Sequence, residues 1–259
     1  MQTSQFVHIH PEAKIGKDVL IGPFVTIDRN VEIGDGCKIG SNVTILDGAR
    51  IGKNVTIFPG AVISAIPQDL KFRGEETTAV IGDNTVIREC VTINRGTASK
   101  NSTRVGKNCL IMAYCHVAHD CVVHDHVIMS NGVQLAGEVE VDDYAIIGGG
   151  TLVHQVCHLG SHIMIQGGAL INKDVPPFVK GAREPLCYTG VNSVGLRRRG
   201  FDSDKIREIQ DIYRYLYLSG MNVSDAVRAI REKIPHTPER DEILDFVESS
   251  QRGIIKGYV

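Results

Sequence analysis

Residues 9–63 decide the fold, and they read IHPEAKIGKDVLIGPFVTIDRNVEIGDGCKIGSNVTILDGARIGKNVTIFPGAVI. Isoleucine occupies every sixth position of this stretch, ten times in succession. A small or β-branched residue lies four positions after each of the first nine. A period of six fits neither an α-helix of 3.6 residues per turn nor a long strand of period two. The pattern predicts short strands broken by tight turns, with one large and one small side chain of each hexad facing inward.

The same period continues along most of the chain. It resumes at Ile81 and, after a second interruption, runs from Val105 to Ile171. One hexad cannot bury a core alone, so we expect the units to stack as coils of a solenoid. The predicted fold class is an all-β solenoid with an α tail, in which residues 1–180 form a parallel β-helix of hexapeptide repeats.

Two segments, 64–80 and 96–104, interrupt the repeat without changing its phase. They are predicted to be loops extruded from the coil, and long loops on a rigid scaffold commonly carry function. The alternative is that they are surface decoration without a role.

The repeat ends at Pro176, and the spacing of apolar residues then becomes helical. Helices are predicted to begin at Asp202 or Ser203, at Val223, and at Thr237, where short polar residues or proline suit the first turn. We therefore expect an α-helical C-terminal domain over residues 190–259 that covers the open edge of the last coil.

Composition excludes several classes of protein. The 259 residues carry a formal net charge of −2, whereas a nucleic-acid-binding protein usually has a strongly basic face. No apolar run is long enough to span a membrane, and the N-terminal sequence lacks the layout of a signal peptide. We expect a cytoplasmic protein without nucleic acid or membrane partners. Five of the seven cysteines fall on the small inward position and are interpreted as buried hydrophobic residues rather than a metal or redox cluster: Cys37, Cys109, Cys115, Cys121 and Cys157.

Seven of the ten histidines lie between residues 116 and 162. His116 and His119 flank the inward Val117 and Ala118, so both are expected to leave the coil toward its surface. Imidazole is the usual general base near neutral pH, and Asp120 could orient His119. The alternative is a set of solvent-facing histidines without partners.

Histidines in this region could also bind a metal ion. The best-spaced pairs, His154 with His158 and His158 with His162, lack an obvious third ligand. No metal and no cofactor are therefore predicted, although a zinc γ-type carbonic anhydrase stays open as an alternative.

Several motifs resemble those of UDP-N-acetylglucosamine acyltransferases, a family of hexapeptide-repeat acyltransferases. They are spread in matching order over nearly the whole chain: IPQDLK (66–71), CHVAHDC (115–121), IIGG (146–149), HQ (154–155), DVPPF (174–178) and GVNSVGLRRRGF (190–201). The resemblance implies a left-handed parallel β-helix with three hexads per coil, so that residues eighteen apart stack and His119 lies over Gly137. It also implies a homotrimer with sites between subunits. The implied reaction moves a 3-hydroxyacyl chain from acyl carrier protein to the sugar 3-hydroxyl, the first step of lipid A synthesis.

The resemblance also implies roles for individual residues. His119 is the expected general base beside Asp120, with Gly137 supplying an oxyanion N–H and His116 in the site. The expected substrate contacts are Gln68, Asp69 and Lys71 on the first loop, Gly149, His154 and Gln155 in the sugar or pantetheine region, Asn192, Arg198 and Arg199 at the nucleotide end, and Gly167 at the limit of the acyl chain.

The sequence departs from the family pattern at three positions. Asn94 and Glu138 stand where histidines are expected, and Val194 stands where a glutamate is expected. These changes leave open whether the acceptor is the 3-hydroxyl sugar or its 3-amino analogue. The sequence also allows a related hexapeptide-repeat N-acyltransferase, which is expected to carry an extra N-terminal domain, and a non-catalytic scaffold.

Overall fold

The computed structural model describes residues 2–257, so positions 1, 258 and 259 of the two predicted domains lie outside the described residues. Most of the described strands are only two residues long, and they form three parallel sheets that make the faces of a triangular coil. The first sheet contains Gln2–Thr3, Leu20–Ile21, Lys38–Ile39, Thr56–Ile57, Val86–Ile87, Leu110–Ile111, Ile128–Met129, Ile146–Ile147, Met164–Ile165, Val179–Ala182, Cys187–Val191 and Lys256–Gly257.

The other two sheets complete each coil. The second contains His8–Ile9, Thr26–Ile27, Thr44–Ile45, Val62–Ala65, Thr92–Asn94, His116–Val117, Gln134–Leu135, Leu152–Val153 and Leu170–Ile171. The third contains Lys14–Ile15, Glu32–Ile33, Ala49–Ile51, Thr78–Ile81, Ser102–Val105, Val122–Val123, Glu140–Val141 and His158–Leu159. Strands of successive coils pair in register, as Ile27 does with Ile45.

The core is a column of stacked aliphatic side chains inside the coil. Ile27, Ile45 and Ile63 are fully buried on the second sheet, and each such side chain contributes roughly 1.5–3 kcal/mol by leaving water. The five cysteines predicted to face inward are all buried, with pKa values above the ordinary range at Cys109 and Cys115 because burial disfavours the thiolate. Their interpretation as small core residues is confirmed.

The two interruptions are shorter than the repeat pattern predicts. Strand Val62–Ala65 runs into the first predicted loop, and strand Thr78–Ile81 begins before the predicted end of that loop. Strand Ser102–Val105 likewise takes up the last part of the second loop. The chain outside the strands therefore spans 66–77 and 95–101, since backbone pairing with the neighbouring coils continues up to the point of departure.

Four helices follow the coil in the described chain. They are α1 (Ser193–Arg198), α2 (Ser203–Leu218), α3 (Val223–Lys233) and α4 (Pro238–Ser249). The side chains of Asp202, Asn222 and Thr237 cap the last three by accepting a backbone N–H of the first turn, which confirms the helix starts predicted from sequence. The short helix α1 and the hairpin of Val179–Ala182 with Cys187–Val191 were not predicted.

The helical tail is fastened to the end of the coil by buried hydrogen bonds. The fully buried Tyr213 of α2 donates its hydroxyl to the carbonyl oxygen of Pro177 at 2.6 Å. The hydroxyl of Ser250 donates to Asp174 at 2.6 Å, and the Ile255 N–H bonds the Asp174 carbonyl. The edge of the last coil is thus paired rather than open. No described helix is long and apolar enough to cross a membrane.

Candidate active site

The candidate site lies at the corner of the coil where the chain passes from the second sheet to the third. His116 begins the strand His116–Val117, and the turn that follows carries His119 and Asp120. The Glu138 N–H donates to the His119 carbonyl at 3.0 Å, and the Val156 N–H donates to the Gly137 carbonyl at 3.1 Å. The corners of successive coils therefore stack at the expected interval of eighteen residues.

Asp120 is fully buried and saturated with hydrogen-bond donors. Its carboxylate accepts the Thr97 backbone N–H at 2.9 Å, the Thr97 hydroxyl at 2.6 Å and the Lys100 N–H at 3.2 Å. Its own backbone N–H donates to the hydroxyl of Thr103 at 2.8 Å. Burial raises the pKa of Asp120, but the hydrogen bonds from Thr97 and His119 outweigh that effect and hold the pKa below its ordinary value. The carboxylate is ionised at neutral pH.

The His119 ring is oriented by this buried carboxylate. Its Nδ1 lies 2.9 Å from Oδ2 of Asp120, and 18% of the side chain is exposed. An ionised carboxylate can only accept a hydrogen bond, so Nδ1 of His119 donates to Asp120. Among residues 2–257, Nε2 has no hydrogen-bond partner. Nε2 is therefore the ring nitrogen that remains available to a substrate.

Gly137 lies directly against the His119 ring on the next coil. A Cβ atom at position 137 would come within 2.6 Å of Cε1 and 2.7 Å of Nε2 of His119. Any side chain there would displace the ring, so the glycine is required by the close approach. No described residue accepts a hydrogen bond from the Gly137 N–H. A ring nitrogen and an unpaired backbone donor thus lie on neighbouring coils at one corner, and acyl transfer uses groups of these two kinds.

His116 and Asn94 line the second-sheet side of the same corner. Nδ1 of His116 lies 2.7 Å from the hydroxyl oxygen of Thr92. Burial lowers the pKa of His116, and the neighbouring His119 lowers it further, while the Thr92 contact opposes both. Asn94 is 2% exposed and donates from Nδ2 to the Ile66 carbonyl at 3.3 Å. Its Oδ1 is buried without a donor in the described chain, and such an orphaned acceptor costs about 1–3 kcal/mol unless a ligand pairs with it.

The loop 66–77 leaves the coil beside Asn94. Gln68 and Lys71 are exposed, and Asp69 is half-buried, with its carboxylate accepting the Lys71 N–H at 2.9 Å. All three belong to the same corner of the coil as His119, two coils earlier. Glu138, the turn residue after Gly137, is also half-buried at this corner.

The other predicted site residues are spread over the three corners of one chain. His154 and Gln155 are exposed at the His119 corner, on the coil after Gly137. Gly149 and Gly167 lie against each other at the corner between the first and second sheets, where a Cβ on Gly167 would be 3.1 Å from the Gly149 carbonyl oxygen.

The nucleotide-end residues lie at the third corner. Arg199 donates from Nη2 to the Tyr144 carbonyl at 3.0 Å, and Asn192 donates from Nδ2 to the His162 carbonyl at 2.9 Å. Arg198 is exposed on α1, and so is Val194. One chain therefore gathers the residues around His119 but does not bring Gly149, Gly167 or the arginines to them.

Sequence reasoning missed the residues that hold Asp120. Thr97 and Lys100 are 23 and 20 positions away from it along the chain and lie on the second loop. Thr103, which supports the Asp120 turn, lies in the strand that follows this loop. The interruption of the repeat was the only available signal, because no local pattern links these residues to Asp120.

Three family profiles match the chain. The profile described as "Udp N-acetylglucosamine O-acyltransferase; Domain 2" covers residues 174–255, and a bacterial transferase hexapeptide profile of six repeats covers residues 102–137. A profile described as the GMPPB C-terminal domain covers residues 3–99.

Curated relatives extend the likeness to the whole chain. An acyl-[acyl-carrier-protein]–UDP-N-acetylglucosamine O-acyltransferase of Halorhodospira halophila is 42% identical over 96% of each protein. A protein of the same name from Pseudomonas fluorescens is 46% identical over 73% of each.

Solved structures show the same likeness in three dimensions. A UDP-N-acetylglucosamine acyltransferase of Bacteroides fragilis superposes with a TM-score of 0.96 at 55% identity, over 98% of this chain and 99% of that one. The corresponding enzyme of Francisella novicida gives a TM-score of 0.95 at 39% identity, over 98% and 94%. These likenesses confirm the predicted left-handed parallel β-helix with a C-terminal helical region.

Proposed function

The chain belongs to the family of acyl-[acyl-carrier-protein]–UDP-N-acetylglucosamine O-acyltransferases, and from this premise we propose the reaction that its His119 corner performs. A 3-hydroxyacyl chain moves from the thioester of acyl carrier protein to the 3-position of UDP-N-acetylglucosamine, the first step of lipid A biosynthesis. The observation that carries the proposal is the His119 ring, oriented by the buried Asp120 and packed over the bare backbone of Gly137.

The transfer is direct and needs no enzyme nucleophile. Nε2 of His119 takes the proton of the sugar hydroxyl as its oxygen attacks the thioester carbonyl carbon. The carbonyl oxygen gains negative charge, which the Gly137 N–H stabilises as an oxyanion donor. The tetrahedral intermediate then collapses, the carbon–sulfur bond breaks, and the thiol of the carrier leaves with the proton from His119. Asp120 stabilises the imidazolium between the two proton transfers.

We place the complete site between subunits of a cytoplasmic homotrimer. Gly149, Gly167 and the arginines lie at other corners than His119, so a second copy must bring its own corners to that ring. Arg198 and Arg199 fit the diphosphate because guanidinium binds phosphate oxygens in pairs. Gln68, Asp69, Lys71, His154 and Gln155 are the proposed contacts to the sugar and the pantetheine arm, with Gly167 at the end of the acyl groove.

The 3-amino sugar is a second candidate acceptor. Asn94 offers a buried carbonyl oxygen that lacks a donor, and Glu138 adds a carboxylate at the corner where the family pattern has an imidazole. An amide and a carboxylate attract an ammonium-bearing sugar, whereas cationic imidazoles would repel it. The amine must still lose a proton to attack, so His119 keeps its role.

A competition assay tests both the reaction and the acceptor. Purified protein is given equal UDP-N-acetylglucosamine and its 3-amino analogue with a 3-hydroxyacyl-acyl carrier protein, and the products are separated by mass. Mild alkali then distinguishes the two products, because it cleaves an ester and spares an amide. We expect transfer to the sugar 3-position. Absence of both products would overturn the proposed function, whereas a clear excess of ester would overturn only the second acceptor.

A further inference from the structure

A second group of histidines and carboxylates lies on the outer face of the third sheet, apart from the residues proposed for acyl transfer. We call it the His124 cluster, and it consists of His124, Glu140, Asp142 and His158. Nε2 of His124 is 3.2 Å from Oε1 of Glu140 and 3.9 Å from Oδ1 of Asp142, and Nε2 of His158 is 2.9 Å from Oδ2 of Asp142.

Coil stacking creates this group from residues far apart in sequence. Glu140 and His158 are partners on adjacent strands, at outward positions just before the inward residues Val141 and Leu159. His124 and Asp142 follow the inward residues of two successive coils, at the same interval of eighteen. One donor atom from each of His124, Glu140 and Asp142 lies within 4.8 Å of the other two. Three side chains thus converge on one point of the sheet, and His158 of the next coil joins them through Asp142.

The cluster is held in place on its His158 side. The His158 ring packs on Phe246 of α4 with centroids 4.5 Å apart, and its backbone N–H donates to Oδ1 of Asp174 at 2.8 Å. The neighbouring turn is tied to the same helix by a hydrogen bond between Ser161 and Glu242. The four cluster side chains are between 26% and 43% exposed, so an ion can reach them from solvent.

We propose that the His124 cluster binds one divalent transition-metal ion, with Zn²⁺ as the ion that its donor set fits best. One imidazole nitrogen and two carboxylate oxygens, from His124, Glu140 and Asp142, are borderline ligands of the kind that zinc accepts beside a water molecule. Bonds of about 2.0–2.2 Å in a tetrahedron place donor atoms roughly 3.3–3.6 Å apart. The distances of 3.2 and 3.9 Å from Nε2 of His124 to the two carboxylates bracket that spacing, and His158 holds the other oxygen of Asp142 as an outer partner. Two ionised carboxylates also balance the charge of the ion.

The ion would join the coil to its helical tail. Its ligands His124, Glu140 and Asp142 come from two successive coils, and His158 of the next coil links Asp142 to α4. The role inferred is structural, because nothing in the proposed transfer requires a metal. The sequence predicted no metal because the pairs His154 with His158 and His158 with His162 lacked an obvious third ligand. In the fold these three histidines lie at a corner, on a sheet face and at another corner.

Equilibrium dialysis of the full-length protein against Zn²⁺ alone tests the proposal, with bound zinc counted by elemental analysis. His124→Gln and Glu140→Gln each remove one ligand, and His158→Gln removes the partner of Asp142, all at partly exposed positions. The matched control is His236→Gln, because His236 is an exposed histidine whose Nε2 lies 3.0 Å from Asp241 but whose pairing involves a single carboxylate. Thermal unfolding with and without zinc follows the same variants, since a ligand of the folded state raises the melting temperature.

We expect about one zinc ion per chain in the wild type and in the control. Each cluster variant should bind at least roughly tenfold more weakly and lose most of the zinc-dependent rise in melting temperature. The proposal is overturned if the wild type retains no zinc. It is equally overturned if a His124→Gln/His158→Gln double variant that remains folded binds as much as the control, or if His119→Ala removes the zinc.

Discussion

The His119 corner and the His124 cluster are built from the same residue types, histidines and carboxylates. They differ in the partners that the ring nitrogens and the carboxylate oxygens already have. At the corner, one carboxylate is buried and already receives three hydrogen bonds from Thr97 and Lys100, so it can do little but orient one ring. In the cluster, the carboxylates are partly exposed, and both rings direct Nε2 at carboxylate oxygens.

This difference decides the chemistry that each site supports. A histidine whose Nδ1 faces a buried carboxylate keeps a basic Nε2 for substrate. Histidines whose Nε2 atoms face partly exposed carboxylates can give up the ring proton to a shared ion, so this arrangement suits metal binding instead. Counting histidines and acidic residues would not separate the two cases, whereas the direction of each ring nitrogen does.

The largest effect is expected from His119→Ala. The variant loses the proposed general base, so kcat should fall by at least roughly 10²- to 10⁴-fold. The fold should persist, because the side chain lies outside the aliphatic core, and circular dichroism checks this. Near-normal turnover in this variant would show that the His119 corner is not the catalytic site.

Gly137→Ala should have the next largest effect. We expect kcat to fall by about 10²-fold, since a displacement of the reacting group by 1 Å can cost that much. The new Cβ would meet Cε1 and Nε2 of His119 at 2.6 and 2.7 Å. The sharper measurement is a double-mutant cycle. In a His119→Ala background the same substitution should cost little further activity, and a full additional loss would show that the glycine acts other than through the ring.

His162 has a third kind of histidine environment, and it makes the stability of the fold depend on pH. His162 is sandwiched between Tyr144 and Phe178, with ring centroids 4.9 and 5.6 Å away. Burial and then the Arg199 guanidinium lower its pKa to about 4 from an ordinary value of 6.5. Below pH 6.5 the unfolded chain therefore binds a proton at His162 that the folded chain does not bind until the pH is near 4.

The contribution of His162 to the free energy of unfolding is fully present above pH 6.5. It falls as the pH drops toward 4 and levels off below that. The difference is on the order of 2–3 kcal/mol. His162→Phe keeps the aromatic stack, since Phe178 adopts the same positive φ at the equivalent turn position. Urea unfolding of this variant at pH 7 and pH 4 should show a shallower loss than the wild type, and an equal loss in both proteins would contradict the assignment.

The smallest effect is expected from Thr97→Val, which removes the 2.6 Å hydrogen bond to Asp120 and leaves the backbone bond in place. We expect roughly a tenfold fall in kcat, because a weaker hold on the carboxylate loosens the ring, and about 1–3 kcal/mol of lost stability. Thr85→Val is the matched control, since Thr85 is fully buried and donates to the Gly106 carbonyl at 2.7 Å without touching Asp120. Equal activity losses in the two variants would argue against a positioning role.

The coil can be predicted from the amino-acid pattern alone. A six-residue period with alternating large and small inward residues admits few other packings, and it also accounts for the buried cysteines and the start of the helical tail. Within the uninterrupted repeat, the interval of eighteen from the family resemblance was enough to put His119 on Gly137. Each of these features depends on neighbours one hexad or one coil away, which the sequence displays directly.

The contacts across the interruptions and on the outer faces depend on how the whole chain folds. Thr92 pairs with His116 at an interval of 24, and Ile63 pairs with Ile93 at an interval of 30, because each loop lengthens its coil by a different amount. The position of Thr97 against Asp120 depends on how the second loop folds back, and no period encodes that path. Outward side chains such as His124 and His158 are free of the core's packing constraint, so their meeting with Glu140 and Asp142 becomes visible only when the coils are stacked.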